Sequence, residues 1–212
     1  MKDIPVFTTE FGIAGLILRE IPYRGDAYVR LHSVLDIDGL VGECIQFCRM
    51  AGAQRILATG DGLVDKYPLH TAVIQMRCDR ASLEDTDAAL WPVQPETAEK
   101  FQQIYNEKIL RVDNAAWMDD IDRRQMLERG DGYFIHRNQT LLGIGRVYGG
   151  QLLWVASVQP GAGQDVVKAL CSALTGDTVT LDVATTNNKA IRLYESLGFI
   201  PVCEKSRWYQ IF

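Results

Sequence analysis

The stretch T-V-T-L-D-V-A-T-T-N-N-K-A-I-R-L-Y-E-S-L-G-F, residues 178–199, decides the fold. Residues 178–184 alternate in polarity and are rich in β-branched side chains, which predicts a strand. Residues 185–188 are turn and cap types, and Asn187 is placed to accept the first free amides of a helix. Ala190, Leu193, Tyr194 and Leu197 then fall on one helical face, and Gly198 supplies a left-handed stop. Phe199 opens an apolar segment, 199–203, that reads as the next strand.

Upstream, Gly161-Ala162-Gly163 opens a helix whose face is Val166, Val167, Leu170, Cys171 and Leu174, and Gly176 closes it. Three strands precede it, 132–137, 140–147 and 151–158, with hairpin turns at Asn138-Gln139 and Gly149-Gly150. Before them lie two helices. One starts at Pro95 and carries a stripe of Phe101, Ile104, Tyr105, Ile109 and Leu110; the other covers 119–129. Pro92 demotes the strand 88–93 to an edge. The polar stretch 77–87 makes the best domain boundary. In the first part of the chain, strands at 11–20 and 26–34 are joined by a turn at 21–25. Asp36 or Asp38 caps a helix whose face is Ile37, Leu40, Val41, Cys44, Phe47, Cys48 and Ala51, Gly52 ends it, and strands follow at 55–59 and 69–76. Residues 203–212 read as a final strand.

The pattern N-x-x-A-I-x-L-Y-x-x-x-G-F, met by Asn187, Ala190, Ile191, Leu193, Tyr194, Gly198 and Phe199, closely resembles the C-terminal half of the GNAT acyltransferase superfamily. From residue 81 onward the element order matches that family throughout. The resemblance implies an α/β (α+β) fold with a mixed, mostly antiparallel sheet flanked by helices. Residues 81–212 would be the acyltransferase domain, and residues 1–80 a degenerate half copy, since strand, strand, helix, strand, strand recurs there without the Gly loop or the Asn-capped helix.

The same resemblance implies an acyl group carried by acetyl-CoA and passed to the amine of a small molecule or peptide by direct attack. A helix N-terminus binds a pyrophosphate through its free amides. The implied coenzyme A contacts are Val155, Ser157 and Val158 at the end of the central strand; Gly161, Ala162, Gly163 and Gln164 at the loop and helix start; and Asn187 and Ala190. Two departures stand out. Val158 occupies a place where the family has Gln or Arg, and the loop is several residues shorter. Asp165, in the first helical turn, would repel a phosphate, although it also suits an empty helix dipole. Tyr194 matches the family's general acid, able to protonate the leaving thiolate; packing in the stripe would explain it equally. Asn187 would hold the pantetheine arm or simply cap its helix. The central strand lacks the acidic residue the family often uses as a base, which leaves Glu128, Asp131 or His136 acting through water. Trp117, Tyr133 and Tyr148 are candidates for an acceptor pocket.

The chain has 212 residues and a net charge of −5, so no global basic field invites nucleic acid or an anionic membrane. No apolar run is long enough to span a bilayer. Five scattered cysteines argue against a disulfide framework and for a reduced, cytoplasmic protein. Cys44 and Cys48 sit one helical turn apart but have no further ligand nearby, so no metal is expected. A monomer or homodimer fits the composition. Two other readings stay open: a non-catalytic GNAT-like scaffold, and a Rossmann unit in which Asp182 follows Gly161-x-Gly163 at the spacing of a ribose-binding acid.

Overall fold

The computed structural model describes residues 5–60, 62–110, 112–113 and 115–212. They form two compact units: residues up to Ala72 together with Lys205–Phe212, and Val73–Glu204.

The first unit contains β1 (Val6–Thr9), β2 (Gly12–Ile17), a short helix α1 (Ile21–Arg24), β3 (Asp26–Val34), α2 (Ile37–Met50) and β4 (Arg55–Thr59). β1, β2 and β3 run antiparallel to their neighbours, whereas β3 and β4 are parallel and paired continuously from Asp26↔Arg55 to Arg30↔Thr59. The first of those pairs is also clamped by charge, with the Arg55 guanidinium donating to both Asp26 oxygens at 2.9 and 2.8 Å. α2 starts where the Asp36 carboxylate accepts the Asp38 amide, at 3.1 Å. Its buried Leu40, Val41, Cys44 and Cys48 pack on Ala14, Leu16, Val29 and Ile56. Burial pushes the Cys44 thiol up to about 12 and the Cys48 thiol to about 11, so both are small hydrophobes and not thiolates. Tyr209 and Gln210 pair with Ala58 and Leu57, and Tyr209 and Ile211 are buried in this core.

The second unit begins inside β5 (Leu69–Asp79). It continues through β6 (Ala89–Pro92), α3 (Ala98–Ile109), α4 (Asp120–Arg129), β7 (Gly132–Arg137), β8 (Thr140–Tyr148), β9 (Gln151–Ser157), α5 (Gly163–Ser172), β10 (Thr178–Ala184), α6 (Asn188–Ser196) and most of β11 (Ile200–Gln210). Its strands run β5-β10-β9-β8-β7-β6, all antiparallel except β9 and β10. The β7–β8 turn places Asn138 and Gln139 at φ 49° and 63°, the left-handed pair that a two-residue hairpin requires. α5 lies tight on β8 because Gly143 and Gly145 face it. A Cβ at Gly143 would come within 2.5 Å of the Ala156 carbonyl and 2.7 Å of Val166. On that side Val166, Val167, Leu170, Leu181, Tyr194 and Phe199 form one core; Phe101, Met126, Phe134 and Ile144 form another beneath α3 and α4.

Three expectations change. The units divide at Ala72, not at residue 80, and Lys205–Phe212 goes with the first. The polar stretch read as a boundary is integrated: Arg77, Cys78 and Asp79 pair with β10. Glu84 and Asp87 then reach Lys168 and Arg137, both at hydrogen-bonding distance. Residues 199–203 and 203–212 are one strand, which Pro201 does not interrupt because it sits near the start. The doubly wound alternative fails on topology, since β5–β10, β9–β8, β8–β7 and β7–β6 are all antiparallel. No helix among the described residues is long and apolar enough to cross a membrane.

Candidate active site

β9 and β10 pair at Gln151↔Thr180 and Leu152↔Leu181 and then part. Parting is helped by a bulge: Leu152 faces Val147 and Trp154 faces Arg146, so Leu153 has no partner on β8 and the strand bends. The gap is a cleft of about 290 Å³. Its walls are the diverging strand ends, its floor Asn187 and Ala190 at the start of α6 and Tyr194 near its end, and its far side Lys108, Val112, Asp113 and Ala115 around the α3–α4 connection. The Trp154 ring lies 4.3 Å from that of Tyr105, whose hydroxyl donates to the Ala116 carbonyl, so this wall is aromatic and fixed.

Tyr194 is 7% exposed and packs against Phe199. Among the described residues, no protein group hydrogen-bonds its hydroxyl. Burial, with a smaller contribution from Cys171, raises the phenol well above its ordinary range, so it stays protonated at neutral pH. The ring is buried, but the hydroxyl oxygen is not enclosed and opens onto the cleft. Asn187 accepts the Ala190 amide at 3.2 Å and so caps α6, as its position in the sequence required.

The Gly loop lies at the start of α5. Gly161 has φ 82° with open space where a Cβ would be. A Cβ on Gly163 would press on Leu193 at 3.1 Å, so this glycine lets α5 and α6 approach. The backbone amides of Gly163, Gln164 and Asp165 have no backbone acceptor among the described residues, and the Gln164 side-chain Nε2 donates to the Ser196 hydroxyl at 3.1 Å. Asp165 is not aimed at these amides as expected. It accepts from Thr86 at 3.1 Å and pairs with Arg137 at 2.8 Å, which in turn holds Asp87. Its negative charge is therefore neutralised beside the loop.

Of the expected contacts, Val155, Asn187 and Ala190 share the cleft with Tyr194, while Gly161, Ala162, Gly163 and Gln164 gather at the α5 start. Ser157 and Val158 are half-buried between the two and do not line the cleft. None of the three suggested bases lines it. Asp131 is locked to Arg146 by two bonds of 2.8 Å, Glu128 is exposed on α4, and His136 lies beside Trp91 at the β6 edge. Trp117 lines a groove of about 630 Å³ between α3 and α4, Tyr133 packs on the α5 core, and Tyr148 is exposed. Lys108 and Asp113 were missed; an isolated Lys in a helix and an Asp after it carry no local signal.

The FR47-like protein family matches residues 156–209, from the end of β9 to that of β11. A GCN5-related N-acetyltransferase from Sphaerobacter thermophilus superposes with a TM-score of 0.56 at 14% identity, over 95% of this chain and 77% of that one. The chain has the GNAT fold. A functionally unknown conserved protein from Staphylococcus epidermidis shares this GNAT architecture with a TM-score of 0.59 at 10% identity, covering 98% and 94% of the two chains. So does a tandem GNAT protein from the clavulanic acid biosynthesis pathway, with a TM-score of 0.52 at 13% identity over 94% and 78%. Likeness to a tandem GNAT agrees with β2, β3, α2 and β4 of the first unit as a partial repeat. No curated protein sequence matches the chain.

Proposed function

We propose that the second unit is an acyltransferase that moves an acetyl group from acetyl-CoA to the amine of a small molecule or peptide. The observation that carries this reading is the cleft opened by the parting of β9 and β10, with the neutral, unpartnered Tyr194 hydroxyl in its floor. The pantetheine arm would lie between the strand ends, where backbone groups no longer pair with each other. The pyrophosphate would meet the free amides at Gly163, Gln164 and Asp165. An amine entering from the α3–α4 side attacks the thioester carbonyl, and Tyr194 gives its proton to the departing sulfur, which would otherwise leave as an anion in a poorly solvated site. A coenzyme A-binding scaffold without turnover is the second reading; the lack of any titratable side chain along β9 favours it.

Titration with acetyl-CoA, read by calorimetry and by melting, is the test. At a hundred times its dissociation constant the ligand should stabilise by about 2.7 kcal/mol. Tyr194→Phe should bind with unchanged affinity and release coenzyme A about 10²-fold more slowly, or slower still. Absence of binding at millimolar acetyl-CoA would end this reading. Binding with no turnover, in wild type and variant alike, would leave the scaffold.

A further inference from the structure

We propose that Asp113 is the proton acceptor for the incoming amine, the group that β9 lacks. This rests on the acyl-transfer reading above. The cleft contains two carboxylates, Asp113 and Asp182. Asp182 is exposed on β10 and accepts from the Gln75 amide across to β5, at 3.4 Å. Asp113 is half-buried and lines the cleft from the α3–α4 connection. It is also held: the Thr186 hydroxyl, in the β10–α6 turn, donates to Asp113 Oδ2 at 2.8 Å. That bond ties the carboxylate to the turn that leads into α6, the helix whose far end carries Tyr194. Among the described residues, the other charged or titratable groups lining the cleft are Lys108 from α3, Asp182 from β10 and Tyr194 from α6; β9 offers none.

The step balances without a further reactant beyond an acyl-CoA and a primary amine. The ammonium form of the amine first gives a proton to the Asp113 carboxylate; the neutral nitrogen then bonds to the thioester carbon, and the second proton it sheds leaves to solvent. When the tetrahedral adduct collapses, the carbon–sulfur bond breaks and the sulfur takes the Tyr194 proton. Asp113 then loses its proton to solvent and Tyr194 regains one, leaving an amide and coenzyme A thiol.

The experiment follows thiol release from acetyl-CoA with two acceptors near neutral pH. Butylamine is a protonated alkylamine that must lose a proton to react; hydroxylamine is a much weaker base and largely uncharged. Asp113→Asn should lose about 10²-fold or more in kcat/KM with butylamine, while hydroxylamine turnover and acetyl-CoA affinity change little. Thr186→Val should show a smaller loss with the same preference for hydroxylamine. Equal losses with both amines would make Asp113 a structural residue and overturn the assignment, as would an Asp113→Asn enzyme with full butylamine activity. If wild type binds acetyl-CoA but butylamine adds nothing to the rate, the assignment falls too. Failure of acetyl-CoA to bind at all would instead condemn the acyl-transfer reading beneath it.

Discussion

Replacing Asn187 by Ala, Gly and Asp separates a helix cap from a ligand contact. α6 has nine residues, and of its first amides the Ala190 N–H is the one satisfied by a side chain, the Asn187 oxygen at 3.2 Å. Losing a cap to Ala costs about 1 kcal/mol, whereas Gly costs a few tenths because it still adopts the cap conformation. Asp keeps an acceptor and adds negative charge at the positive end of the helix, worth about 0.3–1 kcal/mol in the opposite sense. For a chain of this size 1 kcal/mol moves the melting temperature by about 2–4 °C. The Ala variant should therefore melt about 2–4 °C below wild type, the Gly variant within about 1 °C of it, and the Asp variant at or above it. Scanning calorimetry of the full chain measures the series, and acetyl-CoA titration of the same samples measures the second role. If the Asn187 amide also touches the pantetheine arm, the Asp variant keeps its melting temperature and loses affinity. Ala and Gly variants that melt together, or an Asp variant as weak as Ala, would refute the capping argument.

Three further outcomes are expected. Arg137 foremost, then the Thr86 hydroxyl, holds the Asp165 carboxyl below the usual range. The unfolded chain thus binds the proton first on acidification, and this contribution is fully present above about pH 4 and lost as pH falls through the depressed folded value. Melting curves against pH should fall more steeply for wild type than for Asp165→Asn below that point, and salt should shrink the difference; parallel curves would show that the pair is idle. Gly143→Ala should destabilise by about 1–3 kcal/mol, because the new methyl meets the Ala156 carbonyl and Val166. Gly42→Ala, in the interior of α2 with open space around it, should instead stabilise by about 0.5–1 kcal/mol; urea unfolding compares the two.

Residues 178–199 could be read correctly because every signal in them is local. The change from a two-residue to a 3.6-residue period, an Asn cap and a Gly stop act within one turn of where they are written. The hairpins at Asn138-Gln139 and Gly149-Gly150 were legible for the same reason. β1 was not, since Val-Phe-Thr-Thr is four residues long and lacks a clear alternation. The surroundings of Asp165 were invisible because Arg137 and Thr86 reach it from distant parts of the chain. Asp113 is meaningful only once α3 and the β10–α6 turn have been brought together. The boundary near residue 80 was misplaced because polarity marks exposure, and the end of β5 is exposed yet fully paired.

Tyr209 and Ile211 belong to a core whose other members are made long before them. During synthesis β4 must wait for its second neighbour while Val73–Glu204 is added, on the order of ten seconds at ordinary elongation rates. Through that interval Leu57 and Ala58 present an open strand edge, the kind of surface other chains add to. Pairings this distant in the chain also slow refolding in the test tube, where entropy must be lost before they form. The first unit should accordingly be the slow, aggregation-prone step in producing this protein. Chaperone supply and lowered growth temperature, more than changes at the cleft, would govern its yield.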